Sequence, residues 1–232
     1  MIEIRALASG SRGNCYWVTD GSTPLLLECG IRFKDIQRGL NFKVSELAGC
    51  IVTHEHKDHC KALKDMVKAG VVCYMSAGTA EALGAEGHRV HKIAPLQTFK
   101  VGSWQILPFE VQHDAAEPLG FLLASGDGKL LYATDTYYLK YRFNGLTHIM
   151  IECNYSADIL QANEDAGLLP KGLRDRIIQS HFSLDNVKEF LKANDLSKVE
   201  EIWLIHLSDG NSDAERFKRE IQELTGKMVF VA

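Results

Sequence analysis

The feature that most constrains the fold is a polar run that directly follows an apolar, strand-like segment. Residues 53–59 read Thr-His-Glu-His-Lys-Asp-His and so hold three imidazoles and an aspartate within one short stretch. Alternation along an extended segment points His54 and His56 to the same side, and a turn can bring Asp58 and His59 back toward them. The run therefore predicts a metal site between the end of a buried strand and the start of a helix.

The residue types in this run indicate which metals it suits. Imidazole and carboxylate together are typical ligands of first-row cations such as zinc or manganese, whereas calcium prefers all-oxygen shells. Because His54 and His56 face one position while Asp58 and His59 can face a second, we expect two divalent ions per chain. The alternative is a chance cluster of surface histidines, and the apolar segment before the run and the helical pattern after it argue against that.

Three later residues extend the pattern, since each follows another strand-like run: His113, Asp135 and His206. A lone histidine or aspartate at a strand end is more often a satisfied polar residue than a ligand, so none of the three carries weight by itself. In this order, however, they follow a His-x-His-x-Asp-His run, and the whole pattern resembles the signature of the metallo-β-lactamase fold. Members of that family complete their site with a histidine, a bridging aspartate and a final histidine.

The resemblance implies a division of the ligands between two ions. One ion would be held by His54, His56 and His113, the second by Asp58, His59 and His206, and Asp135 would bridge the two. Two such ions, about 3.5 to 4 Å apart, can share a water and lower its pKa toward about 7. The implied chemistry is hydrolysis by a metal-bridging hydroxide, with Asp58 counted also among the catalytic residues. The ligands alone do not choose among phosphodiesters, thioesters and lactams.

Length and patterning agree with one layered α/β domain. The chain has 232 residues, a length at which layered α/β folds commonly remain undivided, and we predict a single domain over residues 1–232. Strands are expected at residues 1–7, 15–19, 25–29, 48–53, 71–75, 98–100, 105–111, 120–124, 129–133, 148–152, 202–205 and 228–231. Helices are expected at residues 33–40, 61–69, 76–83, 157–166, 173–179, 184–193 and 213–224, with Ser76 as a helix cap. Two sheets packed face to face with helices outside would bury these runs, which is the four-layer αβ/βα sandwich that the resemblance also implies.

Composition favours an intracellular enzyme. No stretch approaches the roughly 20 apolar residues that a membrane helix requires, and the first five residues open as a strand rather than as a signal peptide. Six cysteines occur without Cys-x-x-Cys spacing, which is typical of buried thiols in a reducing compartment. We therefore expect a cytoplasmic protein with no membrane partner, and the oligomeric state stays open.

A loop rich in glycine and serine occupies residues 9–14, which read Ser-Gly-Ser-Arg-Gly-Asn. It resembles the SGSxGN loop of the single-domain YycJ (WalJ) branch of the metallo-β-lactamase family, which is associated with nuclease activity on DNA. Residues 113–118 and 206–211 are similar to motifs of the same branch. Glycines let backbone amides approach a phosphate closely, so Ser11 and Asn14 are predicted to contact substrate. The alternative is a hairpin connection without substrate contact.

Glu152 and His181 are a carboxylate and a histidine beyond those that the two ions need. In order and approximate spacing they resemble a pair in ribonuclease Z, a related enzyme in which a glutamate orients a histidine that assists the leaving group. A histidine of near-neutral pKa held by a carboxylate can donate a proton to a departing alkoxide. We assign both as catalytic residues, the alternative being a histidine that caps or packs at a helix start. Ser180 stands where the ribonuclease Z motif has a glycine.

Aromatic and basic residues alternate after Asp135, where residues 136–143 read Thr-Tyr-Tyr-Leu-Lys-Tyr-Arg-Phe. Such a loop can stack bases and touch phosphates, and Tyr138 and Arg142 are assigned to substrate binding. The alternative is a half-buried loop with solvated charges. Glu28 is a departure from the family pattern, because relatives usually carry an aspartate there. It is expected to lie beneath the metals and to affect the ligand positions.

These observations favour a dinuclear metal-dependent phosphodiesterase, a DNA or RNA nuclease whose expected partner is its nucleic-acid substrate. A net charge of −4 excludes a broadly basic surface of the histone type, though not a local basic patch. An alternative enzyme would hydrolyse a thioester, a lactone or a cyclic phosphodiester with the same site. A metal-binding regulatory protein that has lost catalysis is a third alternative, and the intact Asp58 and Asp135 argue against it.

Overall fold

The computed structural model describes residues 1–126 and 128–232. Over this range the chain divides into two compact units whose segments interleave. The first unit comprises residues 1–110 and 115–128, and the second comprises residues 111–114 and 129–232. Neither unit is one continuous piece of chain, and a single domain over residues 1–232 stays a prediction.

Short apolar runs bounded by glycine and polar turns form a sheet in the first unit. Its strands in the described chain are β1 (Glu3–Ala8), β2 (Cys15–Thr19), β3 (Leu25–Leu27), β4 (Gly49–Ile51), β5 (Cys73–Ser76) and β6 (Val90–Ile93), which lie side by side in that order. The pairs β1–β2 and β2–β3 are antiparallel, and the pairs from β3 to β6 are parallel. The carboxyl ends of β3, β4 and β5 therefore share one edge of the sheet, where the polar run at residues 53–59 begins.

Helices connect the parallel strands of this sheet: α1 (Phe33–Gly39), α2 (Lys57–Cys60), α3 (Leu63–Lys68) and α4 (Ala77–Ala82), with a 3-10 turn at Val44–Glu46. Their apolar faces supply Ile36 and Met66 to a buried core that also contains Val52. The first unit also holds the antiparallel strands β7 (Phe99–Val101), β8 (Trp104–Glu110) and β9 (Leu119–Ser125). Trp104 is wholly buried, and its indole N–H donates to Thr23 O (2.9 Å).

Parallel strands form the sheet of the second unit: β10 (Gly128–Ala133), β11 (His148–Glu152), β12 (Glu201–Ile205) and β13 (Met228–Val231), paired in that order. The accompanying helices are α5 (Ala157–Asp165), α6 (Lys171–Ser180), α7 (Leu184–Ala193) and α8 (Ala214–Thr225). Strand β11 is buried along its whole length, as expected for a parallel strand between two neighbours. It ends at Glu152, and the chain leaves β10 and β12 just before Asp135 and His206.

Helix α8 shows how the local sequence determines these elements. Its first turn is capped by Asp213, whose carboxylate accepts a hydrogen bond from Arg216 N (3.0 Å). Phe217 and Ile221 are four residues apart, so they lie on one face, and both are buried. The helix ends at Gly226, which adopts the left-handed conformation (φ 65°) that glycine tolerates without steric cost.

The predicted β-strands and α-helices agree with the structure apart from their ends and two omissions, β6 and α2. Ser76 caps α4 as predicted, since its hydroxyl accepts a hydrogen bond from Thr79 N (3.0 Å). Strand β6 was not predicted, because exposed His91 and Lys92 interrupt its apolar pattern. After the polar run, helical structure also begins earlier than predicted, because α2 starts at Lys57 whereas the predicted helix starts at residue 61. In the part of the chain that the structure describes, no helix has the length and apolar character needed to cross a membrane.

Candidate metal centre

The polar run after β4 brings its imidazoles and its aspartate together. His54 Nε2 lies 3.0 Å from His56 Nδ1, and the ring centroids of His54 and His59 are 4.2 Å apart. The hydroxyl of Thr53 lies 2.9 Å from His54 Nδ1 and so orients that ring. Asp58 Oδ2 is 3.4 Å from His59 Nε2. The four predicted ligands of the first unit therefore form one cluster.

His59 is wholly buried and lies beside a buried carboxylate. Its Nδ1 lies 3.5 Å from Glu28 Oε1, while Glu28 Oε2 accepts a hydrogen bond from Thr53 N (3.3 Å). A carboxylate on one nitrogen of a ligand histidine fixes the ring and strengthens the other nitrogen as a metal donor. Glu28 therefore lies next to a predicted ligand. Its side chain is one methylene longer than that of the usual aspartate, and this length determines how closely the carboxylate approaches His59.

Asn14, which the sequence assigned to substrate binding, is wholly buried. Its Oδ1 accepts hydrogen bonds from Gly10 N (3.0 Å) and from the Tyr16 hydroxyl (3.1 Å). Its Nδ2 donates to Asp58 O (3.4 Å) and lies 3.2 Å from His59 Nε2. This burial corrects the prediction, because the amide is used within the protein and has no surface to offer a substrate. The asparagine of the glycine-rich loop supports the ligand run instead.

Cys60 and Glu55 hold the backbone of the ligand run. The Cys60 thiol donates to Glu55 O (3.1 Å) and to His56 O (3.2 Å). Burial, with the nearby Cys29 as a smaller cause, raises the pKa of Cys60 to about 12, so the thiol keeps the proton that these hydrogen bonds need. Glu55 Oε1 accepts a hydrogen bond from Ala116 N (2.8 Å). Neither contact was predicted from the sequence.

In the second unit, Asp135 and His206 follow the carboxyl ends of parallel strands, and His113 lies in the short segment at residues 111–114. His206 Nδ1 lies 3.1 Å from Asp135 Oδ1, and His113 Nε2 lies 3.5 Å from Asp135 Oδ2. The other nitrogen of His113 is 3.0 Å from Ser180 O. The backbone carbonyl of Ser180 thus orients a predicted ligand, a role that the identity of the side chain does not indicate. His113, Asp135 and His206 form one cluster around the aspartate.

Glu152 contacts more groups than its predicted partner His181. Its Oε1 lies 2.6 Å from His181 Nδ1 and 2.8 Å from His206 Nδ1. Its Oε2 accepts hydrogen bonds from the backbone N–H groups of Thr136 and Phe182, both at 3.1 Å. The carboxylate therefore orients the candidate proton donor and a candidate ligand together. In the sequence, Glu152 is recognisable as a charged residue at the end of an apolar strand. A carboxylate at such a buried position is stable only when it is paired.

The charges of this cluster shift the pKa values of its members. Burial alone would raise the pKa of Glu152, but the charge of His181 and hydrogen bonds from His181 and His206 outweigh it, so that pKa is lowered. Burial would lower the pKa of His181, yet the Glu152 carboxylate raises it above its ordinary value. The pKa of His113 is lowered, because burial prevails there. The His181 side chain is 19% exposed and that of Glu152 is 1% exposed, so a solute can reach His181.

Three of the buried polar residues have left-handed backbone. The φ angles are 68° at Glu28, 48° at Asp135 and 53° at His206, and each residue lies within two positions of a strand end. This conformation is uncommon outside glycine, costs of order 1 kcal/mol or more, and tends to cluster at functional sites. The strained positions coincide with the predicted ligands Asp135 and His206 and with the carboxylate that holds His59.

The other residues assigned to substrate binding are exposed. Tyr138 is 57% exposed, and Arg142 and Ser11 are exposed as well. The backbone of the loop after Asp135 is anchored by Thr136, whose hydroxyl donates to Tyr138 O (2.8 Å). These three side chains, unlike Asn14, are accessible to a substrate.

The donor sets of both units fit divalent cations. In the second unit, Asp135, Glu152, His181 and His206 each present a ligand atom within 4.8 Å of the others. In the first unit, His54 and its neighbours bring ring nitrogens together at hydrogen-bond distance. Buried imidazoles and carboxylates are costly unless they are paired or bind a metal, and this combination of donors suits zinc-like cations.

The sequence model of one family, described as the beta-lactamase superfamily domain, matches residues 26–207. Because this match takes in more than half of the chain, the chain belongs to the β-lactamase superfamily. The match includes every predicted metal ligand from His54 to His206. It confirms the predicted family, the α/β metallo-β-lactamase fold and the class of metal-dependent hydrolase.

Individual relatives place the chain within this superfamily. Exodeoxyribonuclease YycJ of Bacillus anthracis is 26% identical over 240 residues, covering 96% of this chain and 89% of that protein. Exodeoxyribonuclease WalJ of Streptococcus pneumoniae strain D39 is 28% identical over 227 residues, covering 90% of this chain and 82% of that protein. These matches confirm the predicted resemblance to the YycJ (WalJ) branch.

Solved structures agree with the fold. The metallo-β-lactamase fold protein YhfI from Bacillus subtilis has a TM-score of 0.76 at 16% identity, covering 100% of this chain and 96% of that one. The short form of human tRNase Z has a TM-score of 0.65 at 14% identity, covering 100% of this chain and 96% of that one. At such identities the likeness shows the fold alone, and the catalytic roles rest on the residues of this chain.

Proposed function

We propose that the chain is a dinuclear metal-dependent phosphodiesterase that acts on DNA or RNA. The observation that carries this proposal is the Glu152–His181 pair, because it sets a carboxylate-held imidazole beside Asp135 and His206. A protein that only binds metal needs no such proton donor, whereas cleavage of a phosphodiester expels an alkoxide that does. The names of the two bacterial relatives, both exodeoxyribonucleases, support the same class of reaction.

The proposed ligands are the histidines and aspartates that the family resemblance implies. His54, His56 and His113 are assigned to one ion, Asp58, His59 and His206 to the second, and Asp135 to both. Zinc or manganese suits this donor set, and the two ions, when bound, would activate water and offset charge on the phosphoryl oxygens. Support comes from the clustering of these donors within each unit and from the carboxylates that lie 3.5 Å from His59 Nδ1 and 2.8 Å from His206 Nδ1.

The chain itself supplies the proton for the leaving oxygen in this proposal. His181 is the donor, and Glu152 is its positioning partner. Because the Glu152 carboxylate raises the pKa of His181, a larger share of the imidazole is protonated near neutral pH. The exposed part of the His181 ring gives the leaving group access to that proton.

The proposed substrate contacts are the exposed residues Ser11, Tyr138 and Arg142. Arg142 is a cation for a phosphate, Tyr138 is a stacking surface for a base, and Ser11 lies in a loop whose glycines let a phosphate approach. Asn14 is assigned to positioning of the ligand run rather than to substrate. Asp58 is proposed to act in catalysis through its place as a ligand.

Purified protein with added zinc or manganese, offered end-labelled DNA and RNA, tests this proposal. We expect cleavage of at least one nucleic acid and two bound ions per chain by elemental analysis. Product lengths on strands labelled at either end distinguish internal cleavage from cleavage at a terminus. A thioester, a lactone and a cyclic phosphodiester are measured alongside. Activity on one of these far above that on every nucleic acid would favour the alternative enzyme and overturn the proposal.

His181→Ala tests the proton donor separately. We expect both ions to be retained and kcat to fall about a hundredfold to ten thousandfold on a substrate with a poor leaving group. The fall should be much smaller when the leaving group is a nitrophenolate, which departs without a proton. His91→Ala, at an exposed histidine of β6, is the matched control and should leave both activities unchanged. Loss of metal from His181→Ala, or equal losses on both substrates, would contradict the assignment.

A further inference from the structure

A pocket of about 360 Å³ opens beside the loop that follows Asp135 in the second unit. Aromatic side chains supply much of its lining: Tyr137, Tyr138, Tyr141, Phe182 and Phe190. Lys140 and Arg142 line it too and supply positive charge. Glu189 also lines the pocket, and its carboxylate is paired with Lys192 (2.9 Å). The combination of several ring faces with two cations distinguishes this pocket from an ordinary apolar groove.

The rings of the pocket differ in exposure, which defines a floor and a rim. Phe182 and Phe190 are only 3% and 7% exposed, so they belong to the packed interior. Tyr137 and Tyr138 are 42% and 57% exposed. Neighbouring exposed aromatic side chains are unusual on a protein surface unless they form part of a binding site. The two tyrosines therefore offer ring faces that a flat ligand could cover.

The same carboxylate that orients His181 also holds two walls of the pocket. Glu152 Oε2 accepts hydrogen bonds from Thr136 N and Phe182 N, each at 3.1 Å. Phe182 follows His181 directly in the chain, and Tyr137 follows Thr136. Glu152 therefore fixes both the candidate proton donor and the backbone of two residues next to it or to the pocket's tyrosines.

Polar groups at the rim suit a planar heterocycle attached to a phosphate. The side chain of Asn186 lines the pocket, and its Nδ2 donates to Tyr137 O (3.2 Å), which fixes the amide at the edge. Lys140 lies over the Tyr141 ring at 5.1 Å from its centroid. Stacking rings, a fixed amide and two cations match the three parts of a nucleotide: its base, the polar edge of that base and its phosphate.

We propose that this pocket binds one unpaired nucleobase of the nucleic-acid substrate, stacked against Tyr138 while Lys140 and Arg142 contact the adjacent phosphate. The proposal rests on the proposed phosphodiesterase function and adds the form of the substrate. A base within a duplex has both of its faces covered and its edge paired, so it cannot enter. The enzyme therefore prefers a single strand or a frayed end.

A series of single-stranded oligonucleotides, each with one abasic position at a different distance from the cleaved bond, tests the proposal. We expect KM to rise about tenfold at one position and little at the others, since one stacked base contributes a factor of this order. In Tyr138→Ala the intact strand should already show the higher KM, and the abasic position should add little. Tyr138→Phe, which keeps the ring, should restore most of the binding.

Phe42→Ala is the matched control, because Phe42 is a 73% exposed aromatic residue of the first unit. It should leave the abasic profile unchanged. A second readout does not depend on cleavage: 2-aminopurine placed at the sensitive position should lose fluorescence on binding to the wild-type protein, and less on binding to Tyr138→Ala. An even response to all abasic positions, or unchanged 2-aminopurine fluorescence on binding, would overturn the pocket assignment. Absence of cleavage of any nucleic acid, with quenching intact, would instead contradict the proposed function.

Discussion

One carboxylate, that of Glu152, serves two imidazoles of the second unit. The sequence indicated its pairing with His181, while the contact with His206 depends on the adjacency of β11 and β12. A buried carboxylate is tolerated because charged and hydrogen-bonded partners surround it. Its removal should therefore disturb the proton donor and a candidate ligand together, which separates its role from that of His181.

Glu152→Gln is predicted to lower both metal occupancy and activity. The amide keeps the shape of the side chain but removes the charge that holds His181 and His206, and loss of such a partner typically weakens metal binding about tenfold to a hundredfold. Titration against a chelator of known affinity measures this. Glu223→Gln, at an exposed glutamate of α8, serves as the control. Full metal affinity in Glu152→Gln would show that the contact with His206 has no effect on that ligand.

Asn14→Ala is predicted to weaken metal binding about tenfold or more, because the amide that contacts His59 and the backbone of Asp58 is lost. Tyr16→Phe removes only the hydroxyl that donates to Asn14 and should have a smaller effect. Chelator competition and nucleic-acid binding are measured for both variants. Unchanged metal affinity with weakened nucleic-acid binding would restore Asn14 to the substrate contacts.

Among the helices, α4 is short and depends on its first turn. The Ser76 hydroxyl accepts from Thr79 N (3.0 Å) and donates to Glu117 O (2.7 Å). Glu117 Oε2 in turn accepts from Gly78 N (2.7 Å). Two of the backbone N–H groups that a helix start leaves without partners are thus satisfied by side chains from different parts of the first unit.

Ser76→Ala is predicted to lower the free energy of unfolding by about 1 to 2 kcal/mol, because a helix cap and a buried hydrogen bond are lost together. Urea unfolding followed by circular dichroism measures the change. Ser22→Ala, at an exposed serine of the same unit, should change it by less than about 0.5 kcal/mol. Equal stability of the two variants would mean that Glu117 alone is enough to cap α4.

Asp20 joins the β2–β3 turn to two other segments of the first unit. Burial alone would raise its pKa, but hydrogen bonds from the hydroxyls of Ser103 and Ser125 and from the N–H groups of Thr23 and Ser22 lower it well below its usual range. Because the folded-state pKa is depressed, the stabilisation is complete above the unfolded pKa of about 4 and is lost as the pH falls below it.

Asp20→Asn is therefore predicted to be less stable than the wild type at pH 7, with a difference that shrinks as the pH falls below about 4. The uncharged amide cannot accept the same set of hydrogen bonds, and below about pH 4 the unfolded wild-type chain takes up a proton at Asp20 that the folded carboxylate does not yet bind. Thermal unfolding at a series of pH values measures the two Tm curves. A difference that stays constant across this range would show that the ionised form of Asp20 is not what stabilises the fold.

At the scale of the whole molecule, the interleaved segments of the two units bear on how the chain unfolds. Residues 111–114 belong to the second unit although the chain on both sides of them belongs to the first. A unit that depends on a distant segment is hard to fold separately. A single domain over residues 1–232 stays a prediction, for which cooperative unfolding is the direct measurement.

The chain is predicted to unfold in one transition, and its three tryptophans allow the test. Trp203, stacked on Phe230 at 4.7 Å, reports on the second unit, while Trp17 and Trp104 report on the first. In Trp203→Phe and in Trp17→Phe/Trp104→Phe, the urea midpoint from fluorescence should coincide with that from circular dichroism. Separate midpoints in either variant would mean that the two units unfold as separate domains.

Most of the secondary structure and the family of this protein could be predicted from short-range patterns in the sequence. The alternation of apolar and polar residues predicted most strands and helices, because backbone periodicity and side-chain burial act locally. The His-x-His-x-Asp-His run at residues 54–59, followed in order by His113, Asp135 and His206, was enough to predict the family, since each of these groups stands after an apolar run. Strand β6 was not predicted, because an edge strand with exposed His91 and Lys92 has little apolar pattern.

The sequence by itself predicted which residues bear the chemistry and determined the family, and only the tertiary structure decided how these residues are held. Asn14 resembled a substrate contact. The fold instead buries it beside Asp58 and His59, which follow it in the chain by 44 and 45 positions. Glu152 resembled the partner of one histidine, and strand pairing gave it a second. Burial and hydrogen bonding between distant residues depend on how strands are ordered in a sheet, and no local pattern encodes that order.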